Sequence, residues 1–129
     1  MYMEIKTGLT GTASRYVTED DTALHVKSGS LKVLATPVLS ALMEEAAVNA
    51  LKDLLPKEQT TVGGYIAVHH NAATLPGHRI EAKAEITGVE NKKITFRITA
   101  GDDKGPIGKA DHIRFIVDAE KFMDRVKNK

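Results

Sequence analysis

Three side chains, Thr36, Glu44 and His70, could act together on a bound substrate. A carboxylate can serve as a general base or as a nucleophile, and an imidazole transfers protons near neutral pH. A hydroxyl beside them can orient the carboxylate, the attacking water or the substrate. Whether the three side chains meet depends on the elements that carry them.

The first two lie in the stretch Thr36–Leu55, which reads TPVLSALMEEAAVNALKDLL and is predicted to form one long helix. Thr36 suits the N-cap, and Pro37 suits the first helical position, where its missing N–H costs nothing. Pro56 ends the run because the residue before a proline disfavours helical angles. As an N-cap, Thr36 has a structural role whatever its chemistry.

Glu44 lies on the apolar side of this helix, whereas Glu45 falls on the polar side. At 100° per residue the apolar arc contains Leu39, Met43, Ala46, Ala47, Val48, Ala50, Leu51, Leu54 and Leu55. A carboxylate on a buried face needs a partner, a proton or a function. Glu44 either reaches the sheet rim, pairs with a lysine or acts on a substrate. Thr36 lies about two turns away, a rise of ~12 Å, so the two could line one cleft without touching.

His70 belongs to the segment Thr61–Ala73, which is rich in β-favouring residues and is predicted to be a strand. It shares a strand face with Ile66 and Val68, so it points toward the core or a cleft. There it is either a satisfied core residue or a proton-transfer group. His69 points to the opposite face, so the two adjacent histidines are not expected to bind one metal ion.

Gly63 and Gly64 precede this histidine on the same strand. Glycines let a backbone approach a ligand closely and can present an N–H to an oxyanion, but the pair can equally mark a bulge or a bend. Arg114 alternates with Ile113 and Phe115 and therefore points away from their face. It is either an exposed, solvated arginine or a rim residue that binds phosphate.

The rest of the sequence predicts antiparallel strands joined by short loops. Alternating apolar residues mark strands at Ile80–Ile86 and Ile94–Ile98, and Ile107–Val117 is the last long strand. Turns are expected at Pro76-Gly77, Glu90–Lys92 and Gly101–Pro106. Asp118 is expected to cap a short C-terminal helix.

Before the long helix the pattern is weaker. Alternation over Met3–Leu9 suggests a short strand, and Leu24 and Val26 suggest another extended segment. One long helix against a sheet built of hairpins is an α+β arrangement, predicted here as a single domain over residues 1–129. A sheet edge in so short a chain also favours pairing with a second copy.

Composition narrows the class of protein. The 129 residues carry a net charge of +1, which argues against a dedicated nucleic-acid binder. The chain has no cysteine, so disulfides and thiolate chemistry are excluded. The segment Met1–Leu9 does not resemble a signal peptide, and no apolar run approaches the roughly 20 residues that span a bilayer. A cytoplasmic, soluble protein is expected.

Three motifs in order resemble the hotdog-fold acyl-CoA thioesterases, and among these the fluoroacetyl-CoA thioesterase type. They are TPxxxxLMEEA from Thr36, VGGYIAVHHNAATLPG from Val62 and GxIGKADHIRFIVD from Gly105. Together they cover about Ala35–Phe122, most of the chain. The resemblance implies a hotdog fold, an antiparallel sheet wrapped around one long central helix. It also implies an enzyme that hydrolyses an acyl-CoA thioester to a carboxylic acid and CoA, with no metal or redox cofactor.

The resemblance extends to single residues. The family has a threonine at the start of the helix, a glutamate two turns later and a histidine on the next strand, which match Thr36, Glu44 and His70 as catalytic residues. It further suggests substrate contacts at Gly63 and Arg114, to which we add the neighbouring Gly64. Family members are homodimers whose sheets join edge to edge, with active sites at the subunit interface, so a homodimer is expected here.

One segment departs from the fluoroacetyl-specific enzyme, which has an aromatic lid before the helix. Lys27–Ala35 contains no aromatic residue, and the first phenylalanine in the chain is Phe96. This departure argues against selectivity for a fluorinated acyl group and favours a general short- or medium-chain acyl-CoA substrate, or an uncharacterised one. The alternative is a non-catalytic hotdog module that binds acyl-CoA or a similar apolar ligand. A hotdog dehydratase is a third option, but its motif is not found.

Overall fold

The computed structural model describes residues 4–129, which form an antiparallel sheet with one long helix packed on it. The strands are β1 (Thr10–Tyr16), β2 (Gln59–His70), β3 (Arg79–Glu90), β4 (Lys93–Asp102) and β5 (Gly105–Asp118). The helices are α1 (Ala23–Val26), α2 (Thr36–Ala50) and α3 (Ala119–Lys127). This is the predicted α+β arrangement.

The five strands lie in the order β1-β3-β4-β5-β2, so β2 is an edge strand. The β3–β4 and β4–β5 pairs are hairpins, as the turn signals predict. The inner face of the sheet carries the alternating apolar residues, and α2 covers it. Fully buried side chains on this face are Ile80, Ala82, Ala84, Ile86, Ile94, Phe96 and Ile98.

Helix α2 ends at Ala50, five residues before the predicted end. Leu51 is the C-cap, and Asp53 adopts a left-handed φ of 65°, which L-residues rarely use inside a helix. Strand β1 passes so close at this point that a Cβ on Gly11 would collide with the backbone nitrogen of Ala50. The helix therefore ends at its contact with β1, six residues before Pro56.

Because α2 is shorter than predicted, fewer residues define its buried face. The buried residues within the helix are Leu39, Leu42, Met43, Ala46, Ala47 and Ala50. Val48, expected on the apolar arc, is 45% exposed, and Leu42, expected opposite it, is buried. Glu44 consequently lies at the margin of the arc rather than inside it, and its side chain is 40% exposed.

The two predictions for the N-terminal region are wrong where the structure describes it. Residues 4–9 form no strand; Gly8 makes a turn at a φ of 92°, and β1 begins only at Thr10. Met3 lies outside the described residues. The segment expected to be extended around Leu24 is instead the short helix α1, whose first turn is capped by the Thr22 side chain.

The C-terminal helix α3 is capped as predicted. The side chain of Asp118 accepts a hydrogen bond of 3.0 Å from the Lys121 backbone. Within residues 4–129, no helix is both long and apolar enough to cross a membrane.

Candidate active site

Thr36 and His70 meet at the start of α2. Thr36 is the first helical residue and Ala35 is the N-cap, so the predicted capping role of Thr36 is wrong. Its hydroxyl, free of that role, lies 2.8 Å from Nδ1 of His70. The last residue of β2 is thereby joined to the first turn of α2.

The other nitrogen of this imidazole, Nε2, is buried and makes no hydrogen bond of good geometry to any residue of the described range 4–129. Burial lowers the pKa of His70 below its usual value because the charged form is poorly solvated, and the nearby Ala72 backbone opposes part of that effect. A neutral imidazole with one fixed and one unpaired nitrogen can exchange a proton with a bound molecule.

A cavity of about 290 Å³ lies beside this pair. Its walls combine aliphatic and polar side chains from the segment before α2 and from the end of β2 onward: Ala23, Ser28, Val33, Leu34, Thr36, His70, Asn71, Ala72 and Ala73. A space of this size and mixed lining suits a short acyl group next to the Thr36–His70 pair.

Glu44 lies further along α2, against Gly63 of β2 and Arg114 of β5. Its Oε2 is 3.6 Å from Nη1 of Arg114, which forms an ion pair. A Cβ on Gly63 would lie 3.1 Å from the same oxygen, so the glycine leaves room for the carboxylate. No lysine pairs with Glu44 among the described residues; the partner is an arginine from the last strand.

Arg114 is not the exposed residue that one sequence interpretation expected, because it is only 7% exposed. The alternation argument placed it correctly on the face opposite Phe115, but that face is the inner one. Its Nε donates to the Thr61 hydroxyl at 2.8 Å and its Nη2 donates to the Thr61 carbonyl at 3.1 Å. Burial lowers the pKa of Arg114, and the Glu44 charge counteracts that effect.

The sequence analysis missed His112, which completes this group. His112 is 1% exposed, with Nδ1 at 2.8 Å from the Tyr65 carbonyl and Nε2 at 3.3 Å from Nη1 of Arg114. Burial is the main cause that lowers the pKa of His112. Its position two residues before Arg114 on one strand was a usable signal, since both side chains must then share a face.

The two predicted glycines separate. Gly63 lies on the inner side beside Glu44, whereas Gly64 lies under the Phe115 ring, where a Cβ would be 2.5 Å from a ring carbon. The β2–β5 register shifts between Gly63 and Tyr65, so the bulge that was one interpretation of the pair is present. The three atoms nearest to a Cβ on Gly64 all belong to the Phe115 ring, so this position faces away from the predicted catalytic side chains.

The chain thus carries two groups at opposite ends of the inner face of β2: Thr36 with His70, and Glu44 with Arg114 and His112. They are about 12 Å apart along α2. A larger groove of about 780 Å³ lies on the outer face, lined by charged residues such as Arg79, Glu81, Lys83 and Lys109. It contains none of the predicted catalytic side chains.

An antiparallel sheet of this strand order packed on one buried central helix defines the hotdog fold. Comparison with known proteins agrees. Residues 17–120 match the family of fluoroacetyl-CoA-specific thioesterases, and the chain belongs to this family. A fluoroacetyl-CoA thioesterase of Streptantibioticus cattleyicolor is 36% identical over 98 residues, 76% of this chain and 70% of that protein.

Solved structures give the same result. The fluoroacetyl-CoA thioesterase FlK superposes with a TM-score of 0.92 at 30% identity over 98% of both chains. A threonine-to-serine variant of FlK in complex with acetyl-CoA gives a TM-score of 0.90, at 30% identity over 96% of this chain and 98% of that one. A thioesterase superfamily member from Thermus thermophilus gives 0.88 at 25% identity, over 97% and 95%. The predicted family, the hotdog fold and the predicted enzyme class, an acyl-CoA thioester hydrolase, are confirmed.

Proposed function

We propose that this chain hydrolyses a short- or medium-chain acyl-CoA to the carboxylic acid and CoA, with Thr36, Glu44 and His70 as catalytic residues. The observation that carries the proposal is the imidazole of His70. One nitrogen is held by Thr36 at 2.8 Å, and the other is buried without a partner among residues 4–129. A buried polar atom costs free energy unless something pairs with it, so a substrate group at Nε2 accounts for it.

In this reaction Glu44 takes a proton from water as a general base, or attacks the thioester carbonyl to form a mixed anhydride that water then hydrolyses to the acid. The backbone near Gly63 and Gly64 polarises the carbonyl, since the bulge leaves Gly64 out of the β2–β5 ladder. His70 gives a proton to the departing thiolate and regains one that the attacking water releases, so the ring ends neutral as it began. Thr36 orients the acyl group or the water. No step requires a metal or a redox cofactor.

Arg114 enters the proposal in a different role from the one the resemblance suggests. Three hydrogen bonds and an ion pair occupy it on the inner face, and it is 7% exposed. A guanidinium in that position is poorly placed to meet the phosphates of CoA at the surface. We propose that it supports Glu44 directly.

The acyl group is proposed to enter the cavity of about 290 Å³ beside His70. No phenylalanine, tyrosine or tryptophan is among its lining residues. The related fluoroacetyl-CoA thioesterase is named for a fluorinated substrate, and the lack of an aromatic lid residue at this cavity favours an unfluorinated acyl chain here.

We further propose that two copies join through their β2 strands. No described residue of the chain pairs with the outer edge of this 12-residue strand, and a long unpaired edge favours strand addition. An antiparallel pairing centred on Ala67 keeps the inner faces of both sheets on one side, and the extra residue at Gly64 then sets Gly63 of one protomer opposite the partner's His70. The Thr36–His70 pair of one copy and the Glu44 group of the other then face one substrate, which removes the ~12 Å gap within a chain.

The activity is tested by thiol release from a panel of acyl-CoA thioesters of increasing chain length. We expect hydrolysis to be strongest for short or medium acyl chains and fluoroacetyl-CoA not to be preferred over acetyl-CoA. Failure to release thiol from any member, together with thermal stabilisation by the same compounds, would establish the alternative of a non-catalytic acyl-CoA-binding module.

The shared site is tested by mixing two inactive variants, Glu44→Gln and His70→Gln, under conditions that exchange subunits. If each site takes one group from each copy, half of the dimers are mixed and have one intact site out of two, so about a quarter of the wild-type activity returns. Each variant mixed with itself is the control. Mixed samples that stay inactive although the subunits have exchanged would refute the shared site. The cytoplasmic location stays a prediction from the sequence.

A further inference from the structure

The inner face of β5 carries a buried histidine that the proposed reaction does not use. His112 is stacked near the Phe96 ring, with ring centroids 5.8 Å apart, and is 1% exposed. Its neighbours on the packed elements that carry charge are Glu44 from α2 and Arg114 from its own strand. From β2 the Tyr65 carbonyl accepts its hydrogen bond, and Gly63 and Ile66 lie beside it.

The hydrogen-bond partners of the two ring nitrogens of His112 determine which nitrogen carries the proton. The Tyr65 carbonyl can only accept, so Nδ1, at 2.8 Å, must carry the proton. A guanidinium can only donate, so Nε2, at 3.3 Å from Nη1 of Arg114, must be the unprotonated acceptor. The ring is therefore neutral with its proton on Nδ1.

The same guanidinium nitrogen faces Glu44. Nη1 of Arg114 lies between Nε2 of His112 and Oε2 of Glu44, which is 3.6 Å away. Thr61 holds the other two nitrogens, Nε and Nη2. The planar guanidinium is therefore held on two sides, by Thr61 at Nε and Nη2 and by His112 at Nη1, and within the described residues Nη1 makes the one ion pair of Glu44.

We propose that His112 is a positioning residue for the thioesterase reaction: as the neutral Nδ1–H tautomer it accepts from Arg114 Nη1 and holds that nitrogen, and with it the Glu44 carboxylate, in place. This inference rests on the proposed function because it assigns Glu44 the reacting role. His112 itself touches no substrate. The opposite tautomer would place an N–H against the guanidinium and release Arg114 from this arrangement.

Two conservative variants separate positioning from a structural role. In His112→Gln the side-chain oxygen can replace Nε2 as the acceptor for Arg114, while the bond to Tyr65 is lost. In His112→Asn the shorter amide can replace Nδ1 as the donor to Tyr65, while the acceptor for Arg114 is lost. Both substitutions are polar and leave the same Phe96 contact incomplete, so they form a matched pair.

We expect His112→Asn to lower kcat by about 10- to 100-fold with a small change in KM, because a misplaced reacting group slows the chemical step more than substrate binding. We expect His112→Gln to keep kcat within about fivefold of the wild-type value. Thermal unfolding of both variants shows whether each one folds. An Asn variant as active as the wild type, or a Gln variant at least as impaired as the Asn variant, would overturn the proposal.

A measurement on the unmodified protein needs neither variant to fold nor any activity. The ¹⁵N shifts of the imidazole nitrogens report the tautomer, and we expect a protonated Nδ1 and an unprotonated Nε2 for His112 at pH 7. A proton on Nε2 contradicts the proposal even if the enzyme hydrolyses acyl-CoA. If the fixed tautomer is found but the wild type releases no thiol from the panel, it is the proposed function that fails, and with it the assignment of His112 to that reaction.

Discussion

Two groups on the inner face of the sheet hold their histidines in opposite ways. In the Thr36–His70 group, which we call the open end, the His70 side chain bonds to Thr36 and its Nε2 is unpaired beside a cavity. In the Glu44–Arg114–His112 group, which we call the bonded end, both nitrogens of His112 have partners, and the group extends through Arg114 to Glu44. The first arrangement suits proton exchange with a substrate, and the second suits holding a charge still.

This difference follows from where the two residues lie in the sheet. His70 is the last residue of an edge strand, so a ligand or a second copy of the chain can reach it. His112 lies in β5, between β4 and β2, where each polar atom must find its partner inside the protein. A fully bonded group is rigid, whereas an unpaired atom is available for chemistry.

The strongest test of the comparison removes the charge that the bonded end holds. We expect Glu44→Gln to lower kcat by about 10²- to 10⁴-fold, the range for loss of a general base, because an amide can neither take up a proton nor attack as a carboxylate. The measurement is steady-state thiol release with the preferred acyl-CoA. Glu45→Gln, on the exposed side of the same helix, is the control and should change kcat little. Equal activities of the two variants would remove Glu44 from the reaction.

A second test addresses the open end. Thr36→Val keeps the shape of the side chain but removes the hydroxyl bonded to His70, and we expect kcat to fall by roughly 10- to 100-fold, about the effect of one hydrogen bond to a reacting group. Thr36→Ser keeps the hydroxyl and should retain most of the activity. Because Thr36 is not the N-cap, both variants should unfold near the wild-type temperature. A large drop in Tm for Thr36→Val alone would indicate a structural role instead.

The sequence could predict the open end better than the bonded end. Helical spacing selected Glu44 over Glu45, and strand alternation selected the inner His70 over His69, since both periodicities are local properties of the chain. The same alternation placed Arg114 opposite Phe115. It could not say which face was buried, because a buried arginine depends on a carboxylate 70 positions earlier in the chain.

The errors in the helix have a similar origin. Leu51, Leu54 and Leu55 fit the helical period, but contact with β1 at Gly11 coincides with the end of α2. That contact joins segments about 40 residues apart, so no local pattern contains it. Counting these leucines in the helix placed Glu44 deeper in the apolar arc than it lies. His112 was not predicted because the role of a single histidine depends on its hydrogen-bond partners, which the sequence around it does not reveal.

The third test uses pH. Burial lowers the pKa of both His70 and His112 below their ordinary value of 6.5, so between the lowered value and 6.5 the unfolded chain binds more protons than the folded one. Stability is then complete above pH 6.5 and falls as the pH drops through that window. Urea unfolding at pH 7.5 and pH 5 measures the loss. His112→Gln should reduce this pH-dependent loss of stability more than His70→Gln does, because His112 is more buried and faces Arg114. A larger reduction in His70→Gln would contradict the contrast between the two ends.

The smallest effects are expected at two adjacent glycines that face opposite sides of β2. A Cβ on Gly63 would lie 3.1 Å from Oε2 of Glu44, so Gly63→Ala must displace the carboxylate by a few tenths of an ångström. We expect kcat to fall by about 3- to 10-fold with little change in Tm, since a small shift of a reacting group is felt in the rate. Gly64→Ala instead presses on the Phe115 ring of the outer face, so it should lower Tm more than Gly63→Ala does. Both substitutions add one methyl group at neighbouring positions, so each controls for the other, and an unchanged kcat in Gly63→Ala would contradict a reacting role for the carboxylate that lies against Gly63.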